Sequence, residues 1–250
     1  AYSKLQRLFA ISQFTYQTNL TAFPLPADRI TQLYSGIDLA PYRNRLSESE
    51  RINQRRALGV PDNSLAIVLP GRICEAKGHH VWVEALGLLK SRANLPAWCG
   101  VIVGDAAAKD AVRGGYLDRL KAQIDALCLI DDIIFTGFRS DLAQCLQAMD
   151  VACIPSVSEA FGLSVIEAMA AGCAVVGSDS GAIPELIATD YGRMAALDDP
   201  GAWSNAIADL ISDEPLRTAL GSSASVWVHE CFGIDRHVRA LIDGYRSTLS

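Results

Sequence analysis

Short apolar runs recur along this chain, and each is followed by a longer amphipathic stretch. The runs are Leu65-Ala66-Ile67-Val68-Leu69, Gly100-Val101-Ile102-Val103, Ile133-Ile134-Phe135, Val151-Ala152-Cys153-Ile154 and Ala174-Val175-Val176. Apolar and polar residues do not alternate within them. Both faces must therefore be buried, as in the inner strands of a parallel sheet. Each run ends near Gly, Pro, Asp or Ser, and helical patterning follows at 78–91, 115–128, 140–148, 162–171 and 182–188. Strand then helix, repeated, predicts βαβ units and an α/β fold. The sheet is doubly wound and parallel with helices on both faces, and ligands bind beyond the carboxyl ends of its strands.

The flanks differ from this middle. A strand is predicted near 7–12, a helix near 13–20, and a further run at Ile30-Thr31-Gln32-Leu33-Tyr34 leads into Ser35-Gly36-Ile37-Asp38. Gly36 suits a turn that needs positive φ. Residues 47–57 read as a polar helix. Beyond residue 200 the pattern is helical at 201–212, 215–231 and 234–248, with Gly233 as a C-cap or bend between the last two. The expected division is 1–45, 46–232 and 233–250. The chain opens on Ala1-Tyr2-Ser3-Lys4 rather than methionine, with strand-like residues close behind, and is expected to be a fragment.

Composition narrows the function. Half of the 250 residues are apolar, so a packed core is expected. A formal charge of -6 and a pI near 5.2 leave no excess of Lys and Arg to neutralise nucleic acid. An acidic protein can still hold a diphosphate locally with backbone N–H groups and a few basic side chains. The seven cysteines include no Cys-x-x-Cys pair and several sit in apolar runs, which predicts reduced, buried thiols. His79, His80, His229 and His237 lack metal-ligand spacing with them, and no metal or cofactor is expected. No apolar stretch is long enough to cross a bilayer, and no signal-peptide pattern stands at the start.

Two segments carry chemistry. Gly71-Arg72-Ile73-Cys74-Glu75-Ala76-Lys77-Gly78 follows one strand and precedes a helix. A guanidinium and an ammonium leaving a strand end together suit a diphosphate. Taken alone, Arg72 and Lys77 would be two solvated charges beside a loop. Ser158-Glu159-Ala160-Phe161-Gly162-Leu163-Ser164-Val165-Ile166-Glu167 follows another strand. Gly162 opens a helix whose first N–H groups lack intrahelical partners and favour an anion. Glu159 before that helix and Glu167 in its second turn can accept hydrogen bonds from sugar and ribose hydroxyls. Singly, each acid is accounted for by the helix dipole or by solvation. Their clustering with glycine and Phe161 at one strand end is not. Neither a P-loop nor Gly-x-Gly-x-x-Gly occurs.

Arg72 and Lys77, then Glu159 and Glu167 about Phe161-Gly162, resemble the donor site of retaining glycosyltransferase family 4, including its pair of glutamates eight positions apart. Phe135-Thr136-Gly137-Phe138 and the segment 172–179 with Pro184-Glu185 are similar to further segments of that family. The family usually has two glycines before its Pro-Glu loop; here Gly181 is followed by Ala182. The resemblance runs from about Ile11 to Ile211 and implies one Rossmann-like half of the GT-B architecture, the donor-binding one, with only the end of the acceptor-binding half present. It further implies that Arg72 and Lys77 neutralise the diphosphate, together with backbone groups about Gly71, Phe161, Gly162 and Leu163. Glu159 would bind the donor sugar, Glu167 the ribose, and the Phe138-Arg139 backbone the base. The expected partners are a UDP- or GDP-sugar and, through the other half, an acceptor glycan or lipid-linked sugar. Such an enzyme is expected in the cytoplasm, with peripheral association at the inner membrane face. Alternatives are a non-catalytic nucleotide-sugar-binding module serving a separate acceptor chain, and a nucleotide-sugar epimerase of the same architecture.

Overall fold

The computed structural model describes residues 5–249 except 109, 111 and 113. The opening Ala1–Lys4 and the final Ser250 lie outside the described residues.

The chain begins with β1 (Leu8–Ala10), α1 (Gln13–Ala22) and β2 (Ile30–Gln32), and β1 pairs with β2 in parallel as a separate two-stranded sheet. Ser12 starts α1 through a capping box: its hydroxyl accepts from Thr15 N–H, and the Thr15 hydroxyl accepts from Ser12 N–H. A short helix α2 (Ala40–Arg43) precedes α3 (Glu48–Ala57), which opens on the same device built from Ser47 and Glu50.

Alternating elements follow: β3 (Leu65–Pro70), α4 (His79–Lys90), β4 (Trp98–Val103), α5 (Tyr116–Ala126), β5 (Ile133–Phe135), α6 (Leu142–Gln147), β6 (Val151–Ile154), α7 (Leu163–Ala171), β7 (Ala174–Ser178), α8 (Ile183–Leu186), β8 (Gly192–Ala195) and α9 (Pro200–Ser212). Two helices close the chain, α10 (Glu214–Cys231) and α11 (Ile234–Leu249). The main sheet has six parallel strands in the order β5-β4-β3-β6-β7-β8. The order reverses between β3 and β6, which places the ligand crevice of a doubly wound sheet beyond their carboxyl ends.

Successive residues of each strand feed opposite layers. Ala66, Val68, Val101, Ala152 and Val175 pack with α6, α7 and α10, whereas Ile67, Leu69, Ile102, Cys153 and Val176 pack with α4, α5 and α9. Trp82 and Trp203 are fully buried in the second layer. Each large apolar side chain so buried contributes roughly 1.5–3 kcal/mol. Cys99, Cys145, Cys153 and Cys173 are buried, and burial pushes the Cys99 thiol up to about 11. Cys128 departs from the expectation of buried thiols, because it lies exposed beyond the end of α5. No described helix is long and apolar enough to cross a membrane.

Two glycine readings change. Gly36 is not in the left-handed region; it is needed for space, since a Cβ there would lie 2.9 Å from His237 Cβ and 3.0 Å from Ile234 Cα. Gly233 is a bend rather than a left-handed cap. It forms a parallel bridge with Ile37, whose N–H donates to Phe232 O at 2.8 Å and whose carbonyl accepts from Ile234 N–H at 2.9 Å. Helix α11 then lies back on the amino-terminal sheet, where Tyr245 meets Phe9 edge-on at 5.4 Å between ring centroids. Of the apolar side chains Val238, Leu241, Ile242 and Tyr245 on this helix, all but Leu241 are exposed.

Candidate active site

The loops after β3 and β6 are joined backbone to backbone. Gly78 sits at φ 68°, and a Cβ there would fall 1.9 Å from Pro155 O, so only glycine allows the approach. Val157 N–H donates to Ala76 O at 2.8 Å. This zipper delivers Lys77 to Glu159, and their side chains form an ion pair, each about one-fifth to one-quarter exposed. Arg72 is exposed and makes no ion pair or hydrogen bond with any described residue.

The Glu159 loop is held from the other side by the loop after β7. Ser158, at φ 51°, is a non-glycine residue in the left-handed region; its N–H donates to Ser180 Oγ at 2.9 Å. Such strain persists only where the surroundings enforce it, and it is frequent at functional loops. Ala182 N–H donates to Glu159 O at 2.9 Å. Gly181, at φ 63°, would bring a Cβ within 2.5 Å of the Glu159 backbone, whereas Ala182 is buried with ordinary helical dihedrals. Only the first of the two positions needs glycine, and the alanine leaves the loop intact.

Helix α7 opens at Gly162 with no side-chain cap. The N–H groups of Phe161, Gly162, Leu163 and Ser164 find no acceptor among the described residues. They are free for an anion, and the helix dipole favours one there. Glu167 lies one turn in, half-buried and without a hydrogen bond among the described residues. Burial raises its pKa, and the charge on Lys77 pulls the other way.

Beside this arrangement is a cavity of about 400 Å³ lined by Gly71, Arg72, Gly104, Asp105, Phe138 and Arg139. Phe138 stands at its rim, 77% exposed. The Arg139 side chain is committed elsewhere: its Nε and Nη2 reach the two Asp141 oxygens at 2.8 and 2.7 Å. That guanidinium holds the Asp141 carboxyl down at about 2. Of Arg139, the backbone rather than the side chain is thus left to contact a ligand.

The structure thus brings Lys77 and Glu159 together beside the start of α7 and Glu167, while Gly71, Arg72, Phe138 and Arg139 line the adjoining cavity. The Phe161 ring is 3% exposed and packs against Tyr34 and Phe232, so only its backbone faces the site. Asp105 and Glu185 were noted in sequence only as parts of family-like segments, Gly104-Asp105 and Pro184-Glu185, and neither was given a role. The first follows Gly104 at the end of β4, and a glycine-acid pair closing a strand is the signal that points to it. Glu185 accepts at Oε2 from Gln13 N–H (2.8 Å) and Tyr34 OH (3.0 Å), and at Oε1 from Phe14 N–H (2.7 Å).

Residues 50–227 match the family model of glycosyl transferases group 1. The lipopolysaccharide core biosynthesis mannosyltransferase LpcC of Rhizobium leguminosarum bv. viciae is 33% identical over 220 residues, 88% of this chain and 60% of that protein. The D-inositol 3-phosphate glycosyltransferase of Mycolicibacterium vanbaalenii is 33% identical over 226 residues, 87% of this chain and 47% of that one. The crystal structure of Anabaena Alr3699/HepE in complex with UDP and glucose superposes with a TM-score of 0.88 at 26% identity, covering 97% of this chain and 63% of the other. The chain thus spans less than two thirds of the length of these proteins. On the family match, the converging loops and the shared fold, this chain belongs to the glycosyl transferases group 1 family.

Proposed function

We propose that this chain is the donor-binding half of a retaining glycosyltransferase that moves a hexose from a nucleotide-diphosphate sugar to an acceptor hydroxyl. One observation carries the reading: Lys77 from the end of β3 and Glu159 from the end of β6 pair beside the uncapped N-terminus of α7, where the strand order reverses, with Arg72 and Glu167 on the same two segments. The UDP and glucose bound by the Anabaena protein, and the transferase names of the relatives, support it.

In this reading the diphosphate lies on the free N–H groups of residues 161–164, with Arg72 and Lys77 over it. Negative charge grows on the departing nucleotide as the glycosidic bond breaks. Cations fixed in place stabilise that charge more than they stabilise the ground state, so they act catalytically. They also bring the positive charge that a divalent metal would otherwise supply. Glu159 takes hydroxyls of the sugar, Glu167 those of the ribose, and the base enters the cavity beside Phe138. The incoming diphosphate competes with Glu159 for Lys77, which frees that carboxylate for the sugar. Residues 46–232 form the donor lobe, flanked by the end of an acceptor lobe at 1–45 and a returning helix at 233–250. The acceptor is a glycan or lipid-linked sugar bound by the remainder of a longer protein, in the cytoplasm at the inner membrane face, and the fragment by itself is inactive.

Thermal denaturation with UDP, GDP and UDP-glucose tests the donor site. A nucleotide at about 100 times its dissociation constant adds about 2.7 kcal/mol, roughly 5–10 °C for a chain of this size. Arg72→Ala and Glu167→Ala remove the rise. If no nucleotide at millimolar concentration shifts the midpoint of the folded wild type, the donor-site assignment is wrong.

A further inference from the structure

The donor loop is tied to the amino-terminal segment by contacts that the donor site itself does not require. Ser12, fully buried, donates its hydroxyl to Ala160 O at 2.6 Å while its oxygen caps α1. Glu185, four residues beyond Gly181, closes the N-terminus of the same helix by accepting from Gln13 and Phe14 N–H. It also accepts from Tyr34 OH, and the Tyr34 ring rests on Phe161 with 5.8 Å between centroids. Loop 156–162 therefore sits between Ser12 on one side and the 180–182 turn on the other, and both supports end on α1.

We propose that Ser12 and Glu185 form a latch by which the amino-terminal segment holds loop 156–162, and with it Glu159, in register for the donor sugar. The latch rests on the reading of Glu159 as the sugar-binding carboxylate. A carboxylate on two adjacent helix-start N–H groups is a charge-assisted contact that the dipole reinforces, and a hydroxyl to a carbonyl fixes the loop at its middle. Ser12 and Glu185 are positioning residues, since neither reaches the donor. Their effect is mainly on the sugar, because the diphosphate is also held by Arg72, Lys77 and the N–H groups of Leu163 and Ser164, which lie within α7 beyond the latched loop.

The test compares the whole chain with Ser12→Ala, Glu185→Gln, the conservative Ser12→Thr, and Thr21→Ala as a control at the far end of α1. Amide hydrogen exchange at Val157 and Ser158, whose N–H groups are bonded in the loop, should accelerate about tenfold in Ser12→Ala and Glu185→Gln while β3 and β6 are unchanged. Ser12→Thr and Thr21→Ala should behave as wild type. Calorimetry then gives the affinity ratios of UDP-glucose to UDP and of GDP-mannose to GDP. Both latch variants should lower the ratio for the donor that binds by about fivefold, as Glu159→Gln does, with the bare nucleotide within about twofold. Wild-type loop exchange in both latch variants overturns the latch. Fast exchange with an unmoved ratio, while Glu159→Gln lowers it, overturns the positioning role. An unmoved ratio in Glu159→Gln removes the assignment of Glu159 on which the latch depends.

Discussion

Glu167 is an acid kept in an unfavourable place. Its pKa is raised by burial, so the folded state prefers the protonated form. Above the raised value the ionised carboxylate costs stability; below the ordinary glutamate range that cost vanishes. Glu167→Gln should therefore melt higher than wild type at pH 8, with the gain shrinking to nothing as the pH falls through the acid range. The same substitution should weaken nucleotide binding about tenfold or more, from loss of a charge-assisted hydrogen bond worth roughly 1.5–3 kcal/mol. A variant neither more stable at pH 8 nor weaker in binding would remove the assigned role. The charged residues of the site were legible in sequence from their places after two strand ends taken together with the family resemblance, since singly each reads as a solvated or dipole-favoured charge. Their mutual arrangement was not, because Lys77 finds Glu159 only through the contact between Gly78 and Pro155. The burial of the Phe161 ring depends on Tyr34 and Phe232, remote in sequence.

At the level of elements, β3, β4, β6 and β7 were readable because burial on both faces leaves an unbroken apolar run; β5 was readable because its run stays apolar, although it is an edge strand and not buried on both faces, with Phe135 37% exposed. Strand β8, at the other edge, was not, because Arg193 interrupts its run: Gly192 and Ala195 are buried while Met194 is 51% exposed. Helix limits agree with the sequence pattern to within two residues, since the pattern locates the apolar face and the caps settle the ends. What the pattern could not show is how α3 is fastened to the sheet. Asp150, before β6, accepts from Arg51 at 2.6 Å, Arg55 at 3.0 Å and Ala66 N–H at 2.7 Å. Its side chain is 11% exposed and that of Arg55 is 7%. Removing one member of such a network leaves the others charged and unpaired, at a cost of about 3–5 kcal/mol. Asp150→Asn should lower the urea midpoint accordingly without altering the slope; a loss below about 1 kcal/mol would mean that α3 is held by packing and by its other hydrogen bonds, those of Gln54 to Asp141 and of Arg55 to Ala148 O.

Across the whole molecule, the first strand and the last helix among the described residues are packed together. Phe9 meets Tyr245, and a Cβ on Gly244 would lie 2.6 Å from the Phe9 ring, so α11 rests directly on β1. An aromatic pair of this kind is worth about 0.5–1.5 kcal/mol beyond the area it buries. Phe9→Ala should thus speed tryptic cleavage at Arg236, Arg239 and Arg246 about fivefold while the sheet stays protected, and an unchanged rate would show that α11 is anchored only at the bridge beside Gly233. That bridge has its own consequence. The chain enters the six-stranded lobe at Ile37 and leaves it at Gly233, and these two residues are neighbours. A segment whose entrance and exit coincide can be lifted out of one polypeptide and set into another without rerouting the rest. Such a lobe is a cassette whose covalent junction is confined to two adjacent crossings of the backbone, the remaining ties being side-chain contacts such as those of Ser12 and Glu185.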